Sequence, residues 1–478
     1  MPYKKAHFIG IAGKGMSAVA LLLRQAGVEI SGSDEGFYPP VSDYLLAANI
    51  PFSNGYKKEN IPEDADVIVI GKNAKLVKES NEEVAAAFEW QKGSPGKRRV
   101  LSFPEVLNQL TANTDNIVVA GSYGKSTCTA LLSWCLLHAG KDPSYFIGEI
   151  TKGLDAHARK GKSNIFVLEG DEYPSSNWDY RSKFLHYNPK NVLLTAATHD
   201  HVNVYPTHED YLSPFRQLLA LLPADGLLVV NAGEPHALAL STSYAGHTAT
   251  YGMDPDAEWY PQNITYGMPS TFELVHNGSK VVTLTTSLLG AHNIENIVAA
   301  SAMLLEKDLV TADELANAVV AFEGVKRRME ALSPNSSVAV YEGFGSSYEK
   351  ARSAVAAMKL HFPHRRLVVI FEPHTFTWRN KVALNQYDDV FAGAGKVFIY
   401  EPATQGASTH AQLTQNEIVK QVAAAGFEVE PVEEGPGMLG VITKQIEPTD
   451  AVLLLTSGEL GGLIKSIPEW AEQNFPAH

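Results

Sequence analysis

The sequence predicts an α/β protein of several domains, each built on a largely parallel sheet covered by helices. Short β-branched and apolar runs alternate with helical stretches along most of the chain, the pattern of βαβ units. Two glycine-containing turns, at residues 10–15 and 121–124, each follow a strand and open a helix. At 478 residues the chain is too long for one core, given roughly 100–200 residues per domain.

Strands are expected at AHFIGIA, VEISGSD and DVIVIG in the first domain, then at NIVVAGS, NIFVLEG, NVLLTAA and GLLVVNA in the second. RLVVIFE, KVFIYEP and AVLLLTS complete the third. The basic segment Gln91–Arg99 reads as a loop near a boundary, so the first domain is taken as 1–108. Residues 245–290 carry Gly, Pro and Asn turns and suggest a small antiparallel excursion inside a central domain of 109–333. The last domain, 334–478, begins after Lys326-Arg327-Arg328-Met329-Glu330. No internal repeat with a period of about 20–50 residues is seen.

Composition narrows the function. Hydrophobic residues make up 45% and charged residues 19%, as in an ordinary globular chain. The net charge of −14 argues against binding nucleic acid by counterion release. No run reaches the roughly 18 apolar residues of a membrane span, and MPYKKAHFIGIAG runs straight into a strand, so a cytoplasmic location without a membrane partner is expected. Cys128 and Cys135 lie on one helical stretch without disulfide or zinc spacing and read as two buried thiols.

The chemistry sits in the turns. In Gly10-Ile11-Ala12-Gly13-Lys14-Gly15-Met16-Ser17, Gly13 and Gly15 could set backbone N–H groups against a diphosphate, with Asp34 where a Rossmann acid meets a ribose. Taken alone, this leaves a nicotinamide enzyme open, or a tight turn that only permits helix packing. In Gly121-Ser122-Tyr123-Gly124-Lys125-Ser126-Thr127 the spacing is more specific. A backbone nest and helix N-terminus favour phosphate, Lys125 adds a point charge for β and γ oxygens, and the Ser126 hydroxyl suits Mg²⁺, so ATP is the natural guest. Val119 stands where the strict motif has its first glycine.

Leu168-Glu169-Gly170-Asp171-Glu172 and Thr198-His199-Asp200-His201 follow further strands, where open α/β sheets place ligands. A hard cation there would take oxygen from Ser126 and Glu169 and could add nitrogen from His201. Asn293 and Asn296 share a helix face and could read an adenine edge, or equally could be a cap and an exposed amide. Arg327 and Arg328 could reach phosphate or form a solvated hinge.

In this order, AGSYGKST, LEGDE, DH, GAHNIENIVAA and VKRRME after a glycine-rich turn resemble the Mur ligase family over essentially the whole chain. The resemblance implies a Rossmann-like N-terminal domain for a UDP-sugar, a central P-loop ATPase-type domain, and a C-terminal Rossmann-like domain for the incoming amine. It implies ATP and Mg²⁺ as cofactors, with a UDP-N-acetylmuramate-type acid and an amino acid or peptide as substrates. The chain would act as a monomer or weak homodimer.

By this resemblance Gly13, Lys14, Gly15, Met16, Ser17 and Asp34 bind the UDP-sugar. Gly121, Ser122, Tyr123, Gly124, Lys125, Ser126 and Thr127 bind ATP, with Asn293 and Asn296 at adenine and Arg327 at the phosphates. Ser126, Glu169 and His201 hold metal, and Lys125, Glu169, His201 and Arg327 carry catalysis. No lysine occurs from Asn191 to Ser279, which fits branches without a carbamylated lysine. One segment departs from the family pattern D-D-[FY]-[AG]-H-H-P: here it reads Glu342-Gly343-Phe344-Gly345-Ser346-Ser347-Tyr348. That change bears on the amine. It leaves open another acid and amine, or a nucleotide-binding homologue without turnover. Glu342 and His374 are the candidates for a general base.

Overall fold

The computed structural model describes residues 3–94, 96–201, 204–402 and 411–477. All ten expected strands form, and they fall into three sheets. The first has five parallel strands in the order Phe52–Asn54, Glu29–Asp34, Lys5–Ile9, Val67–Ile70, Arg99–Leu101. The chain therefore reverses direction beside Lys5–Ile9, and the glycine turn leaves the sheet at that crevice. The second sheet has ten strands, with Asp115–Ala120 between Ile165–Glu169 and Asn191–Leu194, all parallel. Ile117 to Ala120 and Val192 to Leu194 are completely buried, which is why these strands read as unbroken apolar runs. The third has six strands, with Ala451–Thr456 between Ala339–Phe344 and Leu367–Phe371.

Three local features complete the sheets. The basic segment forms a loop, as expected, and joins the helix Glu82–Lys92 to Arg99–Leu101, the edge strand of the first sheet. Arg98 is held there by donating to the Trp90 carbonyl at 3.2 Å while its guanidinium lies 5.0 Å from the Trp90 ring centre. The 245–290 region, expected as a small antiparallel excursion inside the central domain, forms strands that continue the second sheet. His247–Tyr251 runs parallel to Leu227–Asn231, and the strands after it extend the same sheet, ending in two strands joined at Asn277-Gly278. Both turn residues have positive φ, 47° and 78°, as a tight two-residue turn requires. Glu330–Ala331 adds a short edge strand to the third sheet, pairing antiparallel with Tyr341–Glu342. The helix Phe103–Leu110, closed by a Ser102/Glu105 capping box, runs through residue 108.

The chain divides into two compact units. One comprises Met1–Gln262, Glu273–Leu284 and Glu295–Phe322; the other comprises Asn263–Phe272, Thr285–Ile294 and Glu323–His478. Within the first unit the first two sheets are joined by polar contacts. Ser17 Oγ lies 3.3 Å from His157 Nε2, Lys14 pairs with Glu149 at 2.9 Å, and Asn177 donates to the carbonyls of Asn73 and Leu76. Burial pushes the His157 imidazole down to about 4, so it sits neutral in this seam. Cys128 and Cys135 are buried free thiols, and burial raises both, Cys135 to about 12. Among the described residues no helix is long and apolar enough to cross a membrane.

The first sheet is pinned by a fully buried carboxylate. Glu83 Oε1 accepts from Ser33 Oγ at 2.7 Å and contacts His7 Nε2 at 2.9 Å; Oε2 accepts from the Lys57 N–H and the Asn60 amide at 2.9 and 2.8 Å. Glu83→Ala would strand several buried donors, each costing about 1–3 kcal/mol. It is expected to lower unfolding free energy by at least about 3 kcal/mol in a urea melt, whereas a surface change such as Glu63→Ala leaves the midpoint unchanged.

Candidate active site

The loop after Asp115–Ala120 is built around two glycines that have no room for a side chain. Gly121 has φ +141°, and a Cβ there would lie 2.2 Å from Thr195 Oγ1; Gly124 has φ +80°, and its Cβ would lie 2.7 Å from Asn296 Oδ1. Ser122 Oγ donates to the Thr198 carbonyl at 2.6 Å, and the Thr195 hydroxyl donates to the Tyr123 carbonyl. The loop is thus tied to the end of the neighbouring strand Asn191–Leu194. It delivers the chain into the helix Lys125–His138 without a side-chain cap, with Thr127 buried in the first turn. Such a start presents backbone N–H groups and the positive end of the helix dipole.

Lys125 Nζ donates to the Gly121 carbonyl and to Glu172, 3.0 Å from Oε2 and 3.3 Å from Oε1. The Glu172 side chain is 1% exposed. Burial works against charge on both partners, yet the neighbouring carboxylates hold the Lys125 ammonium above its ordinary value, and Lys125 with His201 holds Glu172 below its own. His201, at φ +55°, places Nε2 3.1 Å from Glu172 Oε1 and Nδ1 2.9 Å from the Tyr173 hydroxyl. The Tyr211 hydroxyl stands 3.0 Å from Ser122 Oγ and 3.4 Å from Glu172 Oε1.

Beside this network, Ser126 Oγ donates to Glu169 Oε1 at 2.7 Å, and the Gly148 N–H donates to Oε2 at 2.6 Å. Burial raises the Glu169 carboxyl, with those two hydrogen bonds opposing. The sequence grouped Glu169 and His201 on one cation. The structure instead pairs Ser126 with Glu169 and His201 with Glu172, because Glu169 closes its strand while Glu172 lies three residues on, past Gly170. Among the described residues no group of three or more His, Cys, Asp or Glu forms a metal cage. Ser126 and Glu169 nevertheless form an all-oxygen pair of the kind a hard cation takes, with water completing its shell. Glu172 is the residue that motif reading underused; the signal was its place in a GDE triplet after an apolar strand. Asp171, its neighbour, pairs with Lys183 at 2.6 Å.

The first glycine turn is more self-contained than its sequence suggests. The Gly13 N–H is spent on the Gly10 carbonyl at 3.2 Å, and Gly15 is bare because a Cβ would meet the Phe103 ring at 2.9 Å. Met16 and Ser17 point into the core at 4% and 0% exposure, leaving Lys14 as the exposed side chain of the turn. Asp34 does not stand clear for a ribose. Its carboxylate accepts from the Ala12 and Glu35 N–H groups and the Tyr56 hydroxyl at 2.8–2.9 Å, which fixes the turn.

Asn296 packs against Gly124 and receives the Cys128 thiol 3.4 Å from its Oδ1. Asn293, in the other unit, donates to the Leu289 carbonyl at 2.9 Å. There too, Arg327 at φ +65° donates through Nε to Glu342 Oε1 at 2.6 Å and through Nη2 to the Gly458 carbonyl at 2.7 Å.

The chain is similar to known proteins along most of its length. Residues 5–111 match the model of the Mur ligase family, catalytic domain, and residues 119–304 that of the Mur ligase middle domain. A UDP-N-acetylmuramate–L-alanine ligase of Arthrobacter sp. (strain FB24) is 35% identical over 377 residues, covering 78% of this chain and 76% of the relative. The chain belongs to the Mur ligase family. A second relative of this Mur ligase, the UDP-N-acetylmuramate–L-alanyl-γ-D-glutamyl-meso-2,6-diaminoheptandioate ligase of Haemophilus influenzae, is 27% identical, covering 97% of this chain and 98% of the relative. The UDP-N-acetylmuramate–alanine ligase of Thermotoga maritima has the same three-domain fold, with a TM-score of 0.78 at 22% identity, covering 98% of this chain and 99% of that one.

Lys125→Ala leaves Glu172 buried without its cation and is expected to lower stability by about 3–5 kcal/mol at pH 7 in a urea melt. Adding Glu172→Gln should restore most of that loss without restoring ATP turnover. Glu172 titrates below its ordinary 4.5 and Lys125 above its ordinary 10.5. The stability from the pair is therefore present between those values, lost as pH falls through the carboxyl's folded value, and lost as pH rises through the ammonium's. A Lys125→Ala melt that superimposes on wild type would contradict the pairing.

Proposed function

We propose that this Mur ligase joins the carboxylate of UDP-N-acetylmuramate to the amine of an amino acid or peptide, using ATP, in peptidoglycan synthesis or recycling. The observation that carries the reading is the strand-end arrangement of Lys125 with Glu172 and His201 beside Ser126 with Glu169, on a chain that spans nearly the whole of its ligase relatives. The muramate carboxylate attacks the γ-phosphorus, ADP leaves, and an acyl phosphate forms. The amine then attacks the acyl carbon and phosphate departs.

Each group has work suited to its chemistry. The loop 121–127 offers N–H groups to the phosphates, and Lys125 offsets charge that builds on the β and γ oxygens. Ser126 and Glu169 would hold Mg²⁺, which when bound supplies charge neutralisation on phosphate oxygens. Glu172 keeps Lys125 charged and aimed, and His201 shares that carboxylate. Asn296 supports the loop at Gly124, and Asn293 is assigned to the adenine side. Arg327 is assigned to the phosphates, oriented by Glu342. The turn at Gly13, Lys14 and Gly15 is assigned to the UDP-sugar through its backbone and the Lys14 charge, with Met16, Ser17 and Asp34 shaping it. In this reading the domains are 1–108, 109–333 and 334–478, and the chain works in the cytoplasm as a monomer or weak homodimer.

The Glu342–Tyr348 segment favours a second reading, the same chemistry on a different amine. Phosphate release with ATP, Mg²⁺ and UDP-N-acetylmuramate separates the two when L-alanine and the tripeptide L-alanyl-γ-D-glutamyl-meso-diaminopimelate are compared with a wider amine panel. One mole of phosphate per mole of amide is expected; silence with every muramate pair removes the cell-wall reading. Glu169→Gln should lower turnover by about 100-fold or more at saturating Mg²⁺, and undiminished turnover would deny its metal role.

A further inference from the structure

Within the second compact unit, the helix Tyr348–His361 packs against the segment that leads into the helix Ala291–Glu306. Leu289 is buried in the same core as Ala354, Ala357 and Met358. Gly290, at φ +92°, runs so close to the helix that a Cβ there would lie 2.7 Å from the Cβ of Ala357. His361 stands on the same face as Ala357, because residues four apart are neighbours on a helix. Its Nε2 accepts the Gly290 N–H at 2.9 Å, and its Nδ1 lies 3.1 Å from the Gly267 carbonyl oxygen. Gly267 belongs to the turn between the strands Trp259–Thr265 and Ser270–His276, and it too lies in the second unit.

These two contacts fix the state of the ring. A nitrogen that accepts carries no proton, so the single hydrogen of the neutral ring sits on Nδ1 and is donated to Gly267. Charging the ring would put a second hydrogen on Nε2, opposite the Gly290 N–H, and two donors cannot share one bond. Burial holds the imidazole below its ordinary 6.5, with the bond to Gly267 opposing. The titratable groups facing it are His292, on the helix that begins at Ala291, and Tyr266, whose ring stands edge-on with centres 6.0 Å apart. No carboxylate acts on it among the described residues. Burial pushes His292 down to about 4, so this neighbour stays neutral in mild acid.

We infer that His361 is an acid-sensitive latch: the neutral ring ties the Gly267 turn and the start of the helix Ala291–Glu306 to the helix Tyr348–His361, and the imidazolium releases Gly290. The latch is independent of the ligase reading. Leu289 stays packed when the N–H is freed, so release is a local opening and not an unfolding. The lowered value sets the sign: the stability contributed is complete above the ordinary 6.5 and is lost as pH falls through the folded value.

The test follows amide hydrogen exchange in the full-length protein by mass spectrometry, in peptides covering Asn263–Phe272 and Thr285–Ile294. The pH is lowered from about 7.5 to about 5, and rates are corrected for the intrinsic effect of pH on exchange. Protection at Gly290 should fall roughly tenfold, the worth of one hydrogen bond, while peptides covering Leu367–Phe371 and Ala451–Thr456 keep theirs. His361→Phe keeps a ring without either nitrogen, so its Gly290 protection should be low at every pH and show no acid step. A second measurement reads the ring itself. Long-range proton–nitrogen correlations of the histidine rings at neutral pH should contain a neutral ring with its proton on Nδ1 that is missing from His361→Gln. Wild-type protection that is flat with pH overturns the latch, and so does an acid step that persists in His361→Phe. A His361 ring carrying its proton on Nε2 at neutral pH overturns it equally. Loss of protection that spreads to the two sheet strands marks general acid unfolding and also removes it.

Discussion

The structure of the central domain turns on keeping Lys125 charged where water is nearly excluded. An ammonium buried without a partner costs several kcal/mol and escapes by losing its proton. Here the cost is offset by Glu172, whose carboxylate in turn meets His201 and Tyr211. That network explains the loop. Gly121 and Gly124 let the backbone lie against Thr195 and Asn296, which fixes where the helix starts and hence where Lys125 and Ser126 begin. A residue with a side chain at either position would have to push its neighbours away, and both anchors of the ammonium would shift together.

Much of this was legible in the chain. Buried parallel strands declare themselves as apolar runs because both their faces are covered, and all ten expected runs are strands. Lys125, Ser126 and Glu169 were readable because a glycine turn, a helix start and a strand-end acid are local patterns. Pairings across sequence were not readable. That Glu172 rather than Glu169 receives Lys125, or that His201 joins Glu172, depends on which strand lies beside which and how far each loop runs past its strand.

The first glycine turn teaches the opposite lesson, since its sequence pattern was clear but admitted two physical causes. Gly15 is needed by the Phe103 ring, and Asp34 is consumed by Ala12, Glu35 and Tyr56. Both residues build a rigid turn, and rigidity suits a site whose contacts come from backbone groups. Ser17, placed by its motif beside a ligand, instead faces His157 across the seam between the first two sheets. A long-range contact of that kind leaves no trace in local spacing.

The altered stretch from Glu342 to Tyr348 separates specialisation from decay. A segment drifting without a role would be expected to collect unsatisfied buried groups and poor packing. Here Glu342, which burial raises above its ordinary value, is answered by Arg327, and the Gly345 and Ser346 carbonyls are answered by Trp378 and Thr375. Gly345 itself is demanded by Leu455, whose side chain lies 2.7 Å from where a Cβ would stand. Trp378 and Thr375 flank the turn that carries His374, so the stretch and the Glu372–His374 pair are held as one piece of polar architecture. Pairing these buried groups at one sheet edge stabilises the fold, since each left unpaired would cost about 1–3 kcal/mol. The altered stretch is therefore a packed and hydrogen-bonded part of the third sheet's edge.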